Sequence, residues 1–142
     1  MRVAFVTSQA LHDLTASDRL AAAALRARGV AVVPAVWTDP SVAWDRFDRV
    51  VIRSPWDYYQ HRDRGREGRD RLDAAGATVG NPTATLRWNL DKAYLRELDV
   101  PLVPTEWIGR GASVDLARIL RDRRWDRAVV KPTVSGGATD TW

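Results

Sequence analysis

Cysteine does not occur in this chain. A disulfide framework and thiolate metal ligation are therefore excluded, and a reducing cytosol is a compatible setting. Histidine is almost as scarce. His12 and His61 stand alone, without the second histidine four residues away that a helical metal pair requires. No apolar run approaches the roughly 20 residues of a membrane span. The opening run Met1-Arg2-Val3-Ala4-Phe5-Val6-Thr7 is too short for a signal-peptide core and reads as a strand. The expectation is a cytoplasmic protein with no membrane contact. The common phosphate motifs are also missing. No G-x-G-x-x-G follows the first apolar run, Ser135-Gly136-Gly137-Ala138-Thr139 lacks a glycine-lysine pair, and Gly109-Arg110-Gly111 lacks a third glycine.

What is present is an ordinary globular composition: 45% of residues are apolar, too many for a disordered chain. A length of 142 residues accommodates one domain, or one domain and the beginning of another. The net charge is +4, from 22 basic and 18 acidic residues. A basic balance raises the question of nucleic acid. The charges alternate in sign instead of forming a block, as solvated helix faces do, so no nucleic-acid partner is expected.

Along the chain, apolar runs alternate with helical patterns. Residues 3–8 read as a strand. Ser17-Asp18 can cap a helix whose apolar face includes Leu20, Ala24 and Leu25, with Gly29 just beyond its end. A second strand starts at Val30 and runs towards Trp37, and a short helix is expected from Val42 to Phe47. Arg49-Val50-Val51-Ile52-Arg53 reads as a third strand, apolar enough to be buried on both faces. This alternation is the grammar of an α/β fold with a parallel sheet, whose ligands collect at the carboxyl ends of the strands. Those ends carry Thr7-Ser8, Trp37-Thr38-Asp39 and Arg53-Ser54-Pro55-Trp56-Asp57.

Residues 60–71 contain no large apolar side chain and two glycines, each costing a helix about 1 kcal/mol relative to alanine. An exposed, frayed segment is expected there. A short strand follows over 77–81, then two short helices or one broken helix over 83–98, with Tyr94, Leu95 and Leu98 on one face. Ser113 is a candidate cap for a helix bearing Val114, Leu116, Ala117, Ile119 and Leu120. A last strand is expected through Ala128-Val129-Val130-Lys131.

Two groups of residues stand out as chemistry. Only two of the 22 basic residues are lysines, Lys92 and Lys131. Where arginine does nearly all the basic work, a retained lysine suggests a compact point charge in a place with little room, such as beside phosphate oxygens. Lys131 ends an apolar run and precedes a loop of small residues, Pro132-Thr133-Val134-Ser135-Gly136-Gly137. Two ordinary surface lysines are the alternative. The second group is Arg53-Ser54-Pro55-Trp56-Asp57-Tyr58. An arginine and a carboxylate around a tryptophan could hold a zwitterionic small molecule. Equally, Trp56 could cover the sheet edge while Asp57 caps the next helix.

In order and spacing, Arg53-Ser54-Pro55-Trp56-Asp57-Tyr58, Asn81-Pro82, Trp88-Asn89-Leu90-Asp91-Lys92-Ala93-Tyr94-Leu95, Val103-Pro104-Thr105 and Val129-Val130-Lys131-Pro132 with Ser135-Gly136-Gly137 resemble the ATP-grasp superfamily. The closest likeness is to carboxylate–amine ligases of the glutathione-synthetase-like or cycloserine-pathway cyclo-ligase type, over their N-terminal portion. The resemblance implies a Rossmann-like domain over 1–104 and the opening of an ATP-grasp lid subdomain over 105–142. It implies that Lys92, Lys131, Ser135, Gly136 and Gly137 contact ATP, and that Arg53, Ser54, Trp56 and Asp57 contact a carboxylate or amine substrate. It implies an acyl-phosphate, ADP-forming mechanism assisted by Mg²⁺, whose ligands belong to a later subdomain, so no metal-binding residue is expected within the chain. On this reading the chain is a truncated ligase, inactive in isolation, with its final strand unpaired and Trp142 exposed. The alternative is a non-catalytic small-molecule-binding or interaction domain on the same sheet.

Overall fold

The computed structural model of the chain describes residues 1–60, 62–136 and 138–142, and side chains except those of 62–66 and 69. The chain divides into two compact units, residues 1–90 and 91–142. The division falls between Leu90 and Asp91.

The first unit is built on a parallel sheet of three strands, β1 (Arg2–Thr7), β2 (Ala31–Val36) and β3 (Arg49–Ser54), in the order β2-β1-β3. The α/β class read from the sequence is the one observed. The central strand is β1, buried from Val3 to Thr7. A strand paired on both sides in a parallel sheet is covered on both faces, which is why its sequence is a continuous apolar run. β3 is less enclosed than expected: Val50 is fully buried, but Val51 and Ile52 are only partly so. Beyond β3 the short strand expected at 77–81 is reduced to one parallel bridge, Val50 to Val79. β2 pairs with β1 alone and tolerates Pro34. A residue without an N–H is acceptable on such an edge.

Side chains alternate across β1 and divide the core. Val3 and Phe5 pack with Leu14, Ala22 and Val32 under helix α1 (Ala16–Arg26). Ala4 and Val6 pack on the other face with Ala35, Trp37, Trp44, Val50 and Leu72. The inward face of α1 differs from the expected one. It consists of Asp18, Ala21, Ala22 and Leu25, at helical spacing, whereas Leu20 is 75% exposed. Its cap is Thr15, whose hydroxyl accepts from the Asp18 N–H at 3.1 Å. Gly29 closes the helix end at φ +77°, as expected. The helix expected over 42–47 is a single 3-10 turn, Trp44–Arg46.

The segment expected to fray is instead a regular helix, α2 (Arg62–Ala74). Tertiary contacts supply what propensity lacks. Leu72 is buried in the core, and Arg71 Nη2 donates to the carbonyls of Asp39, Pro40 and Val42 at 3.0, 3.0 and 3.2 Å. Gly68 is buried where the helix meets the end of β2. A Cβ there would lie 3.0 Å from the Trp37 carbonyl oxygen and 3.3 Å from its ring. The glycine that reads as a helix weakener is thus the point of close approach. Helix α3 (Thr83–Asn89) follows, and Arg87 reaches Asp73 of α2 at 2.5 Å.

The second unit has a 3-10 turn, Lys92–Glu97, and one helix, α4 (Leu116–Arg123). The cap of α4 is Asp115, not Ser113: its Oδ1 accepts from the Arg118 N–H at 2.9 Å. No regular strand forms over Ala128–Lys131. Val130 and Trp142 exchange both backbone hydrogen bonds, at 2.9 Å each, and one such pair does not make a ladder. Val129 is 68% and Trp142 83% exposed, the latter as expected. Among the described residues no helix is long and apolar enough to cross a membrane.

Replacing Gly68 by alanine sets a gain of about 1 kcal/mol in helix propensity against an overpacking cost of roughly 1–3 kcal/mol. The expected outcome in urea unfolding is a net loss of stability, larger for Gly68→Val, whose branched side chain meets the Trp37 backbone.

Candidate functional site

Two clusters of polar side chains stand out, one in each unit. The first lies at the carboxyl ends of β1 and β3. Thr7 and Ser8 are buried there, as is Ser54. The register of β3 against β1 runs Val6 to Ile52 and then Thr7 to Ser54, passing over Arg53. Successive side chains of a regular strand point to opposite faces. The irregularity at Arg53 lets two consecutive residues, Arg53 and Ser54, reach the same group.

That group is Asp18, from the first turn of α1. Arg53 Nε donates to Asp18 Oδ1 at 2.7 Å, and Nη2 lies 2.6 Å from the same oxygen. Ser54 Oγ donates to Asp18 Oδ2. The guanidinium also lies over the Phe5 ring, 5.8 Å from its centroid. The Asp18 side chain is only 3% exposed and that of Arg53 38%. Burial alone would raise the Asp18 carboxyl. The hydrogen bonds from Ser54, Arg53 and Thr15 and the charge of Arg53 outweigh it and hold the group below its ordinary value.

The other two residues singled out on this loop are placed separately. Asp57 Oδ1 accepts from the Trp37 indole Nε1 at 2.7 Å, while Trp56 is 59% exposed. Arg53 and Ser54 are therefore brought together, by a carboxylate that sequence reasoning assigned to capping. The available signal was positional: Asp18 begins the stripe continued by Ala21, Ala22 and Leu25, so a helix burying those residues buries Asp18 too.

The second cluster joins Lys92 to the loop after Lys131. The Lys92 backbone N–H donates to Thr133 O at 2.8 Å. Its Nζ reaches Ser135 O at 2.9 Å, Ser135 Oγ at 3.1 Å and Thr133 O at 3.3 Å. Ser135 is buried, Gly136 partly so and Lys131 exposed. Gly137 lies outside the described residues. Burial lowers the pKa of Lys92, the charge of Lys131 lowers it further, and Asp91 opposes both. An ammonium under the influence of a second cation, beside a hydroxyl, forms a donor set suited to an anion. Two shallow grooves beside α4, about 360 and 460 Å³, contain no residue of either cluster.

Residues 3–81 match the family model described as the N-terminal domain of D-cycloserine synthetase DcsG. The chain belongs to that family. The cycloserine biosynthesis protein DcsG of Streptomyces lavendulae is 33% identical over 118 residues, which are 78% of this chain and 38% of that protein. The crystal structure of D-cycloserine synthetase DcsG superimposes with a TM-score of 0.85 at 29% identity, over 99% of this chain and 49% of that one. The chain thus spans about half the length of the relatives it matches. The resemblance to cycloserine-pathway ATP-grasp ligases, over their N-terminal portion, is borne out. Within this DcsG-like domain the match includes β1, α1, β2, β3 and α2, and with them the whole Asp18 cluster.

The Asp18 pairing carries a pH signature. A carboxyl held below its ordinary 3.8 in the folded chain contributes stability that is present above 3.8 and lost as pH falls through the lower, folded value. Asp18→Asn is expected to lower stability at neutral pH by about 1–3 kcal/mol. It should also flatten the acid limb of the stability–pH profile, measured by urea unfolding at a series of pH values.

Proposed function

We propose that the chain is the N-terminal part of an ATP-dependent carboxylate–amine ligase of the ADP-forming type. Its residues 91–142 present Lys92, Lys131, Ser135, Gly136 and Gly137 to the nucleotide, and Arg53 of the sheet domain meets the small-molecule substrate, while Ser54, expected at the same contact, is buried and bonded to Asp18 behind it. Trp56 and Asp57 complete the substrate loop. The observation that carries the reading is the convergence of the chain's only two lysines on one loop of small residues. Membership of a family named for a synthetase supports it.

The donor set fits the phosphates of ATP. Bound there, ATP would supply the phosphoryl group that activates a carboxylate towards an amine. The chain's own contribution is positional and electrostatic. Lys92 is bonded to three oxygen atoms of Thr133 and Ser135, so it shapes the loop as well as charging it. Lys131 is exposed and is the cation open to a phosphate oxygen. Mg²⁺ has no comparable fit. Among the described residues no group of three or more histidines and carboxylates could hold a metal ion.

Calorimetric titration with ATP tests this reading. Lys131→Ala is expected to weaken binding by about tenfold or more, the loss of one charge-assisted contact. Unchanged affinity would remove Lys131 from the site.

Proton uptake supplies an independent measure. An ammonium whose pKa is depressed in the free chain regains a proton when an anion arrives beside it. ATP binding below the ordinary lysine value of 10.5, at alkaline pH, should therefore take up protons, seen as a dependence of the binding heat on buffer ionisation enthalpy. Lys92→Met should abolish that dependence.

A further inference from the structure

The sheet order places the Asp18 cluster at a particular point. From β1 the chain crosses through α1 to β2, on one side of β1, and then returns to β3 on the other side. The connection leaving β3 leads onward to α2 and to the bridge at Val79, beyond β3. The connections therefore leave β1 and β3 in opposite directions, which makes their carboxyl ends the topological switch point. Open α/β sheets bind ligands in the crevice formed there.

Arg53 stands at that point in a conformation fixed on three sides. The bulge turns it towards α1, the Phe5 ring lies beneath its guanidinium, and Asp18 engages the Nε–Nη2 edge. An arginine has five N–H donors in a rigid fork. Nη1 has no acceptor among the described residues, and more than a third of the side chain is exposed. Ser54 adds to the constraint by occupying the second oxygen of Asp18, so the carboxylate cannot rotate away.

We infer that Asp18 is a positioning residue. With Ser54, it holds Arg53 so that the outer edge of the guanidinium receives the carboxylate of a small-molecule substrate at the switch point of the sheet. This rests on the proposal above that Arg53 meets substrate, and it adds the group recognised and the residue that sets the geometry. The chemistry is complementary: a planar fork, already oriented, offers parallel N–H groups to a planar carboxylate, and preorganisation removes the entropy cost of ordering a long side chain on binding.

The test is an NMR titration of the full 142-residue chain with two probes of nearly equal size, alanine and alaninamide, which differ in the carboxylate. The wild-type chain is expected to bind alanine, with shifts at the amides of Ser8, Arg53 and Ser54 and at the Arg53 Nε–H, and to bind alaninamide at least tenfold more weakly. Asp18→Asn should retain the fold, weaken alanine by about tenfold and collapse the Arg53 Nε–H signal towards that of a free side chain. If the wild-type chain binds neither probe, or both equally, the substrate reading of Arg53 itself is wrong. If alanine binds selectively and a folded Asp18→Asn matches wild type in affinity and in the Nε–H signal, only the positioning role falls. Should Asp18→Asn fail to fold, Ser54→Ala decides. It leaves the ion pair in place but frees the carboxylate to rotate, so weaker alanine binding is expected and unchanged affinity overturns the inference.

Discussion

The enclosure of β1 between two parallel neighbours is the constraint on which the first unit depends. A strand hydrogen-bonded on both sides and covered on both faces has no solvated surface, so every residue from Val3 to Thr7 must be apolar or internally satisfied. Thr7 illustrates the second condition: fully buried, its hydroxyl donates to Leu11 O at 2.9 Å. Because β1 is the central strand, with β2 on one side and β3 on the other, the chain leaves β1 to one side and returns on the other. The switch point at the ends of β1 and β3 is therefore a consequence of topology, and the polar residues there, Ser8, Arg53 and Ser54, occupy the place where the sheet can be polar without disrupting its core.

Asp18 has to be weighed against that background. Burying the Asp18 carboxylate carries a desolvation cost that an ion pair rarely returns in full, and apolar residues of similar volume often do as well or better. Here the cost is limited by complete pairing: one oxygen takes Arg53 and the other Ser54. The lowered pKa of Asp18 expresses the same balance. What the arrangement gains over an apolar contact is orientation. An isoleucine at position 18 could fill the space, but it could not set the direction of a guanidinium 35 residues further along the chain.

The elements legible in the sequence were those whose signal is local. Apolar runs marked β1, β2 and β3, and Gly29 marked the end of α1 because only a residue tolerant of positive φ suits that position. The lysines drew notice by scarcity, and Lys92 is bonded to Thr133 and Ser135 of the loop that follows Lys131. The features that escaped are set by distant partners. Gly68 reads as a weakness until Trp37 is seen 3.0 Å from where its Cβ would be. Asp18 reads as a helix cap until Arg53 and Ser54 arrive from another strand. The strand expected at Lys131 failed for the complementary reason: β propensity in Ala128-Val129-Val130 cannot make a strand without a ladder, and Trp142 supplies a single pair.

The two clusters use their charges in opposite ways. In the sheet unit the cation is matched by a buried anion, Asp18. In the second unit burial and the charge of Lys131 lower the pKa of Lys92, and Asp91 opposes them. Such a pair is electrostatically incomplete, and an anion placed between the ammonium groups relieves it. The contacts from Lys92 to Thr133 and Ser135 tie residues 133–135 to the 3-10 turn that begins at Lys92. Any acceptor that approaches the ammonium competes with these three oxygens for its three N–H donors.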